Sequence, residues 1–205
     1  MTQITTGLRS ILSKPLIYKI FQTIAGGGLG ARKRFFNQHF DIAPETTILD
    51  IGCGPADILD CLPPVNYYGF DINPEYVEFA RQKYHGRGSF YMKYLTRDDL
   101  LTLPKFDYVL CLGLLHHLTD DEVRETIALS QAALKQGGTL LTLDGCFEKG
   151  QSSIAKIMLM MDRGQNVRNQ NGYDELIKPF FNKFQSRVVH KKWLPYTYCI
   201  TKSIL

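Results

Sequence analysis

The stretch Asp50–Asp57, "DIGCGPAD", decides how this chain is read; the apolar run "TTIL" leads into it and "ILDCL" follows. A short apolar run that meets a Gly-x-Gly turn and then a helical pattern is the opening strand–turn–helix of a doubly wound α/β protein. Such proteins bind ligands beyond the carboxyl ends of their strands. Pro55, at the first turn of the next segment, predicts a helix over "PADILDCL".

Outward from this point the alternation continues. "YYGFD" reads as a strand, "PEYVEFARQKYH" as a helix, and "SFYMKYL" and the apolar "FDYVLCLG" as strands. "TDDEVRETIALSQAAL" is a helix opened by the capping box Thr119-x-x-Glu122, and "GGTLLTLDG" is a strand. This order calls for a mostly parallel sheet with helices on both faces. After Asp144 a helical piece, Ser153–Met161, leads to "DRGQNVRNQNGYDELI". "FQSRVVHKKW" and "YTYCITKSI" follow as extended runs joined by Leu194-Pro195, a connection that permits only an antiparallel pair. Upstream, residues 3–25 read as a helix broken at Pro15, which "GGGLG" terminates before "ARKRFFNQHF" starts another.

With 205 residues the chain is sized for a single domain, and no apolar run approaches the roughly 20 residues of a membrane span. No signal-peptide pattern opens it, and its five cysteines form no C-x-x-C pair, so a reducing, cytoplasmic setting is expected. The net charge of +4 is segregated: residues 1–40 carry +6, residues 41–148 carry −9 and residues 149–205 carry +7.

The turn discriminates among ligands. A dinucleotide fingerprint needs a third glycine and free N–H groups facing a pyrophosphate. Here Asp57 replaces that glycine and Pro55 lacks an N–H. No Gly-Lys-Ser/Thr follows, which excludes a triphosphate loop, and "GGGLGARKR" fails the same test. Gly52 and Gly54 leave room for close approach, and Asp50 offers a carboxylate to an ammonium group. Asp71, which ends the next strand 17 residues after Gly54, can accept hydrogen bonds from both ribose hydroxyls, or else cap the helix at Pro74. S-adenosylmethionine, with an ammonium, a sulfonium and no phosphate, fits these demands.

"ILDIGCGPADIL", "YYGFDINPEYVEFAR", "FDYVLCLGLLHHLTDDE" and "LKQGGTLLTLDG", in this order, resemble the class I S-adenosylmethionine-dependent methyltransferases, and among them the small bacterial type 11 and type 12 enzymes. The resemblance is close over residues 45–145 and looser in "PLIYKIFQ", "DRGQNVR" and "LPYTY". It implies a Rossmann-like seven-stranded sheet, mostly parallel with an antiparallel last strand. It divides a single methyltransferase domain into an N-terminal helical cap (1–44), a cofactor-binding core (45–145), and a substrate-side insertion with a C-terminal hairpin (146–205). It places Asp50, Gly52, Cys53 and Gly54 near the methionine moiety and Asp71 with Ile72 on the ribose side, with Leu112 as a further cofactor contact. The family's acid past the third strand has no fixed counterpart: Asp98, Asp99 or the backbone at Leu95 could fill it.

For the chemistry, His117 and then His116 are the candidate bases, because they follow the fourth strand at the ligand edge and histidine titrates near neutral pH. Asp144, Tyr18, Arg163 and Arg168 are candidate acceptor contacts, and Arg32 a candidate for the methionine carboxylate. Asn/Asp-Pro-Pro-aromatic, Pro-Cys and double-glutamate signatures are missing, which favours a small-molecule acceptor over nucleic acid. The two basic blocks flank the core, so that acceptor is expected to be anionic, with no metal involved. The alternatives are a protein that binds the cofactor without transfer and an RNA methyltransferase using the basic flanks.

Overall fold

A computed structural model describes residues 28–161, 166–190 and 196–205. The described residues divide into two compact units, one ending at Tyr94 and the other beginning at Leu95.

In the first unit, helix α1 (Gly28–His39) precedes β1 (Thr47–Ile51), β2 (Asn66–Asp71), helix α2 (Pro74–Lys83) and β3 (Gly88–Met92). The three strands are parallel, with β2 in the middle; Asp50 stands opposite Gly69, and Gly69 opposite Phe90. Ile48 and Leu49 are adjacent in sequence and both fully buried, as a parallel strand covered on two faces requires. Helix α2 buries Tyr76, Val77 and Ala80 along one stripe and leaves Glu75, Glu78 and Arg81 in solvent. Its N-cap is Asn73, whose Oδ1 accepts from Glu75 N at 2.9 Å and Tyr76 N at 3.3 Å.

Two expectations are corrected here. Helix α1 begins at Gly28, inside the glycine run that was expected to end a helix before it. "PADILDCL" forms no α-helix: a single 3₁₀ turn, Asp57–Asp60, follows Ala56, which sits at φ 54°. A left-handed residue at that point breaks the helical path.

The second unit holds β4 (Phe106–Leu112), helix α3 (Asp120–Ala133), β5 (Leu134–Phe147), helix α4 (Ser153–Met161), the two-residue β6 (Arg168–Asn169), helix α5 (Gln170–Ile177), β7 (Lys183–His190) and β8 (Thr197–Ile204). β4 runs parallel to β5, β5 antiparallel to β8, and β8 antiparallel to β7, so the hairpin closes the unit as its short connection required. The capping box opens α3 in full: Glu122 N donates to Thr119 Oγ1 at 3.4 Å and Thr119 N to Glu122 Oε2 at 2.9 Å. The sequence reading assigned no helix to "QNGYDELI" and no strand to Arg168–Asn169. Both exist, the helix capped by Asn169, whose Oδ1 accepts from Gly172 N at 2.8 Å.

Candidate functional site

In the first unit, Gly52 and Gly54 take φ of 72° and 55°, the left-handed region where a side chain is strained. This winding turns the backbone back on β2, so that Gly52 N and Cys53 N both donate to Phe70 O, at 2.8 and 3.0 Å. Gly54 N donates to Asp71 Oδ2 at 2.8 Å, and Asn73 N to Asp71 Oδ1 at 2.8 Å. Asp71 therefore fastens the turn, and the role of helix cap belongs to Asn73. Burial raises the Asp71 pKa, partly offset by these N–H groups. Ile72, beside it, leaves an aliphatic side chain 39% exposed.

Asp50 is almost fully buried. Its Oδ2 accepts from Tyr67 Oη at 2.6 Å, while Oδ1 has no hydrogen-bond partner among the described residues. Burial pushes the carboxyl up to about 7; the Tyr67 hydrogen bond opposes the rise and the Asp71 charge adds to it. Sequence reasoning missed Tyr67. The signal was Gly69, a glycine in mid-strand: a Cβ there would lie 2.9 Å from both Cys53 Sγ and Tyr67 Cε1. The bare position lets the tyrosine ring cross to Asp50 and the Cys53 side chain tuck inward, so Cys53 meets the turn through its backbone.

Asp57 requires a corrected argument. It stands where the dinucleotide fingerprint has its third glycine, yet its charge is not bare: Oδ1 is bound by Lys83 Nζ at 2.8 Å and Tyr84 Oη at 3.3 Å. What disfavours a pyrophosphate is the missing N–H of Pro55 and the 3₁₀ turn, which supplies no α-helix N-terminus. Arg32, half-buried on α1, lies close enough to Cys61 for its charge to act on that thiol.

In the second unit, Leu143 pairs with Leu112, and Gly113 N donates to Leu143 O at 2.7 Å. This register sets Asp144 beside the 3₁₀ turn Leu115–His117 that follows β4. His116 Nδ1 meets Asp144 Oδ1 at 2.8 Å, and the His116 backbone N–H approaches the same oxygen at 3.2 Å. A carboxylate only accepts, so Nδ1 carries the proton and the basic lone pair is on Nε2. Asp144 is 2% exposed, and its Oδ2 has no hydrogen-bond partner among the described residues. The ring of His117 lies against that of His116, centroids 4.1 Å apart.

Arg168 forms a strap over this turn. Nη1 donates to Leu115 O at 3.0 Å and Asn166 O at 2.9 Å, and Nη2 to Leu118 O at 2.9 Å. Nε and Nη2 also reach Asp120 Oδ1, at 3.0 and 2.6 Å. All five guanidinium N–H groups are thereby engaged within the protein. Half-buried Leu112 ends β4. Tyr18 and Arg163 lie outside the described residues. Asp99 turns back on Thr96, accepting from its N at 3.0 Å and its Oγ1 at 2.8 Å, while Asp98 is exposed.

Thus Asp50, Gly52, Cys53, Gly54, Asp71 and Ile72 are brought together in one unit, and His116, His117, Asp144 and Arg168 in the other. Among the described residues no helix is long and apolar enough to cross a membrane, and no group of three or more His, Cys, Asp or Glu side chains could hold a metal ion.

A methyltransferase-domain family model matches residues 49–140. No functionally curated protein matches the chain in sequence. A methyltransferase structure from Archaeoglobus fulgidus superposes with a TM-score of 0.68 at 16% identity, over 91% of this chain and 99% of its own. Phosphoethanolamine N-methyltransferase 2 of Haemonchus contortus gives 0.68 at 14% identity, over 98% of this chain and 60% of its own. Mitomycin 7-O-methyltransferase gives 0.64 at 20%, over 91% and 55%. The chain thus spans little more than half the length of the last two. At these identities the likeness establishes the fold: Rossmann-like, mixed α/β, mostly parallel with antiparallel C-terminal strands. Residues 49–140 thus match a methyltransferase domain, set in a fold similar to that of S-adenosylmethionine-dependent methyltransferases.

Proposed function

We propose that this protein is a cytoplasmic enzyme, acting as one methyltransferase domain, that methylates a hydroxyl of a small, negatively charged acceptor. The observation that carries the reading is the buried Asp50 carboxylate, whose Oδ1 has no hydrogen-bond partner among the described residues. A buried carboxylate oxygen left without a hydrogen bond is costly, and an ammonium group relieves that cost. S-adenosylmethionine, when bound, supplies that ammonium and an electrophilic methyl on a sulfonium. The Gly52–Gly54 turn would admit it closely, Asp71 would accept from its ribose hydroxyls, and Ile72 would offer apolar contact. In the second unit His116, with Nδ1–H held by Asp144, would take the acceptor's hydroxyl proton on Nε2 while the methyl passes from the sulfonium, leaving a neutral thioether, to that oxygen. Amine acceptors need only be neutral, so a histidine–carboxylate pair favours oxygen.

Calorimetry across pH tests the cofactor half. Below about pH 7 Asp50 holds a proton that the ammonium must displace. Affinity for S-adenosylmethionine is therefore expected to fall as pH drops from 8 to 6, by up to about tenfold per unit below the pKa. Asp50→Asn should weaken binding and flatten that dependence. Affinity that does not vary with pH, or NAD binding more tightly, would overturn the reading.

The charge of the acceptor is supported by a cleft of about 520 Å³ lined by Phe147, Glu148, Lys149, Gln151, Lys156 and Asn169. Glu148 meets His190 there at 2.6 Å, and the two lysines outnumber that one carboxylate. The cleft begins three residues beyond Asp144 on β5, and the Haemonchus enzyme holds a phosphate-bearing ligand, phosphomonomethylethanolamine. Lys149→Ala/Lys156→Ala is expected to raise the acceptor KM roughly tenfold at low salt with kcat within about twofold, the difference shrinking as salt rises. A salt-independent KM, unchanged in the double variant, would return both lysines to plain solvated surface.

A further inference from the structure

We infer that Arg168, a candidate acceptor contact by sequence, is instead a positioning residue that sets the distance between His116 and Asp144; this rests on the reading of His116 as the base. The backbone of Arg168 is tied to the strand that carries Asp144, since in β6 it pairs with Cys146 of β5. Its N–H approaches Tyr173 Oη at 3.5 Å, and that hydroxyl donates to Gly145 O at 2.8 Å, next to Asp144. The side chain of Arg168 belongs to the other half of the pair. Its guanidinium binds Leu115 O and Leu118 O, the carbonyls on either side of His116 and His117, and is braced by Asp120. Asn166 N adds a bond to His116 O at 3.0 Å. A one-turn 3₁₀ helix is weakly held by its own bonds. Here the fork of one guanidinium replaces what the turn lacks. Lysine, with a single nitrogen, cannot span two carbonyls and a carboxylate at once.

Proton NMR of the wild-type protein tests this directly, because an Nδ1–H held by a buried carboxylate gives a downfield, slowly exchanging resonance. His116→Gln identifies the signal by its loss. In Arg168→Lys the resonance is expected to broaden or vanish. Turnover should fall by about 10- to 100-fold while the KM for S-adenosylmethionine stays within about threefold, since small misplacements of a catalytic group have effects of that order. Should Arg168→Lys fold poorly, Asp120→Ala removes only the outer brace and is expected to broaden the same resonance with a smaller loss, about three- to tenfold. A resonance unchanged in both variants, with turnover unchanged, overturns the positioning role. No such resonance in the wild-type protein, together with full activity of His116→Gln, overturns the reading of the base instead. The resonance reports on the pair whether or not an acceptor is known.

Discussion

His116→Ala is expected to lower kcat by on the order of 10²- to 10⁴-fold while the affinity for S-adenosylmethionine changes less than about threefold. The asymmetry follows from what His116 touches: Nδ1 and the backbone N–H both meet Asp144 Oδ1, and neither group belongs to the turn around Asp50. Asp144→Asn should behave similarly, because an amide can donate as well as accept and no longer dictates which ring nitrogen bears the proton. His117 was the favoured base from sequence, and the two substitutions decide between the neighbours. On the geometry His117 packs: it is 8% exposed with its ring against that of His116. His117→Ala is accordingly expected to lower thermal stability and to reduce kcat less than about tenfold. A reversed pattern, with His117→Ala the inactive variant and His116→Ala near wild type, would restore the sequence-based choice.

Asp71→Ala is expected to weaken S-adenosylmethionine binding by roughly 2–4 kcal/mol, which is about 30- to 1000-fold. The carboxylate acts twice in this reading. It would accept from the ribose hydroxyls, and it already holds Gly54 N and Asn73 N, so its removal loosens the turn as well as the contact. Asn73→Ala provides the control. It removes the cap of α2, with an expected stability loss of about 1 kcal/mol, and leaves the Asp71–Gly54 bond in place. Titration calorimetry on both variants separates the two roles. Wild-type affinity in Asp71→Ala, or equal losses in the two variants, would reduce Asp71 to a structural link.

Much of the fold could be read directly, because local pattern and tertiary requirement agree. The buried runs "TTIL" and "FDYVLCLG" form β1 and β4, the Thr119–Glu122 box opens α3, and Ser153–Met161 is helical from end to end. "PADILDCL" fails because proline placement is a weak prior and Ala56 adopts a left-handed conformation that no local rule demands. Arg168–Asn169 and α5 were missed because a two-residue strand has no periodicity of its own; it exists only because β5 offers Cys146 and Phe147 as partners.

The candidate site divides in the same way. The glycines of the Asp50–Asp57 turn and the acid at the end of the second strand are chain-local features: left-handed turns need glycine, and strand-terminal acids sit at a fixed spacing. Both are legible in the sequence alone. Which histidine pairs with Asp144, and whether Arg168 meets a ligand or the protein, depend on residues 28 and about 50 positions apart in sequence. Only the register of β5 against β4 and the pairing of β6 with β5 bring them within hydrogen-bond distance. A one-residue slip would turn Asp144 to the opposite face of the sheet, and no composition or spacing argument can detect that. Tyr67, which holds Asp50 through a hydrogen bond across two strands, became visible for the same reason: its reach depends on the side chain that Gly69 lacks.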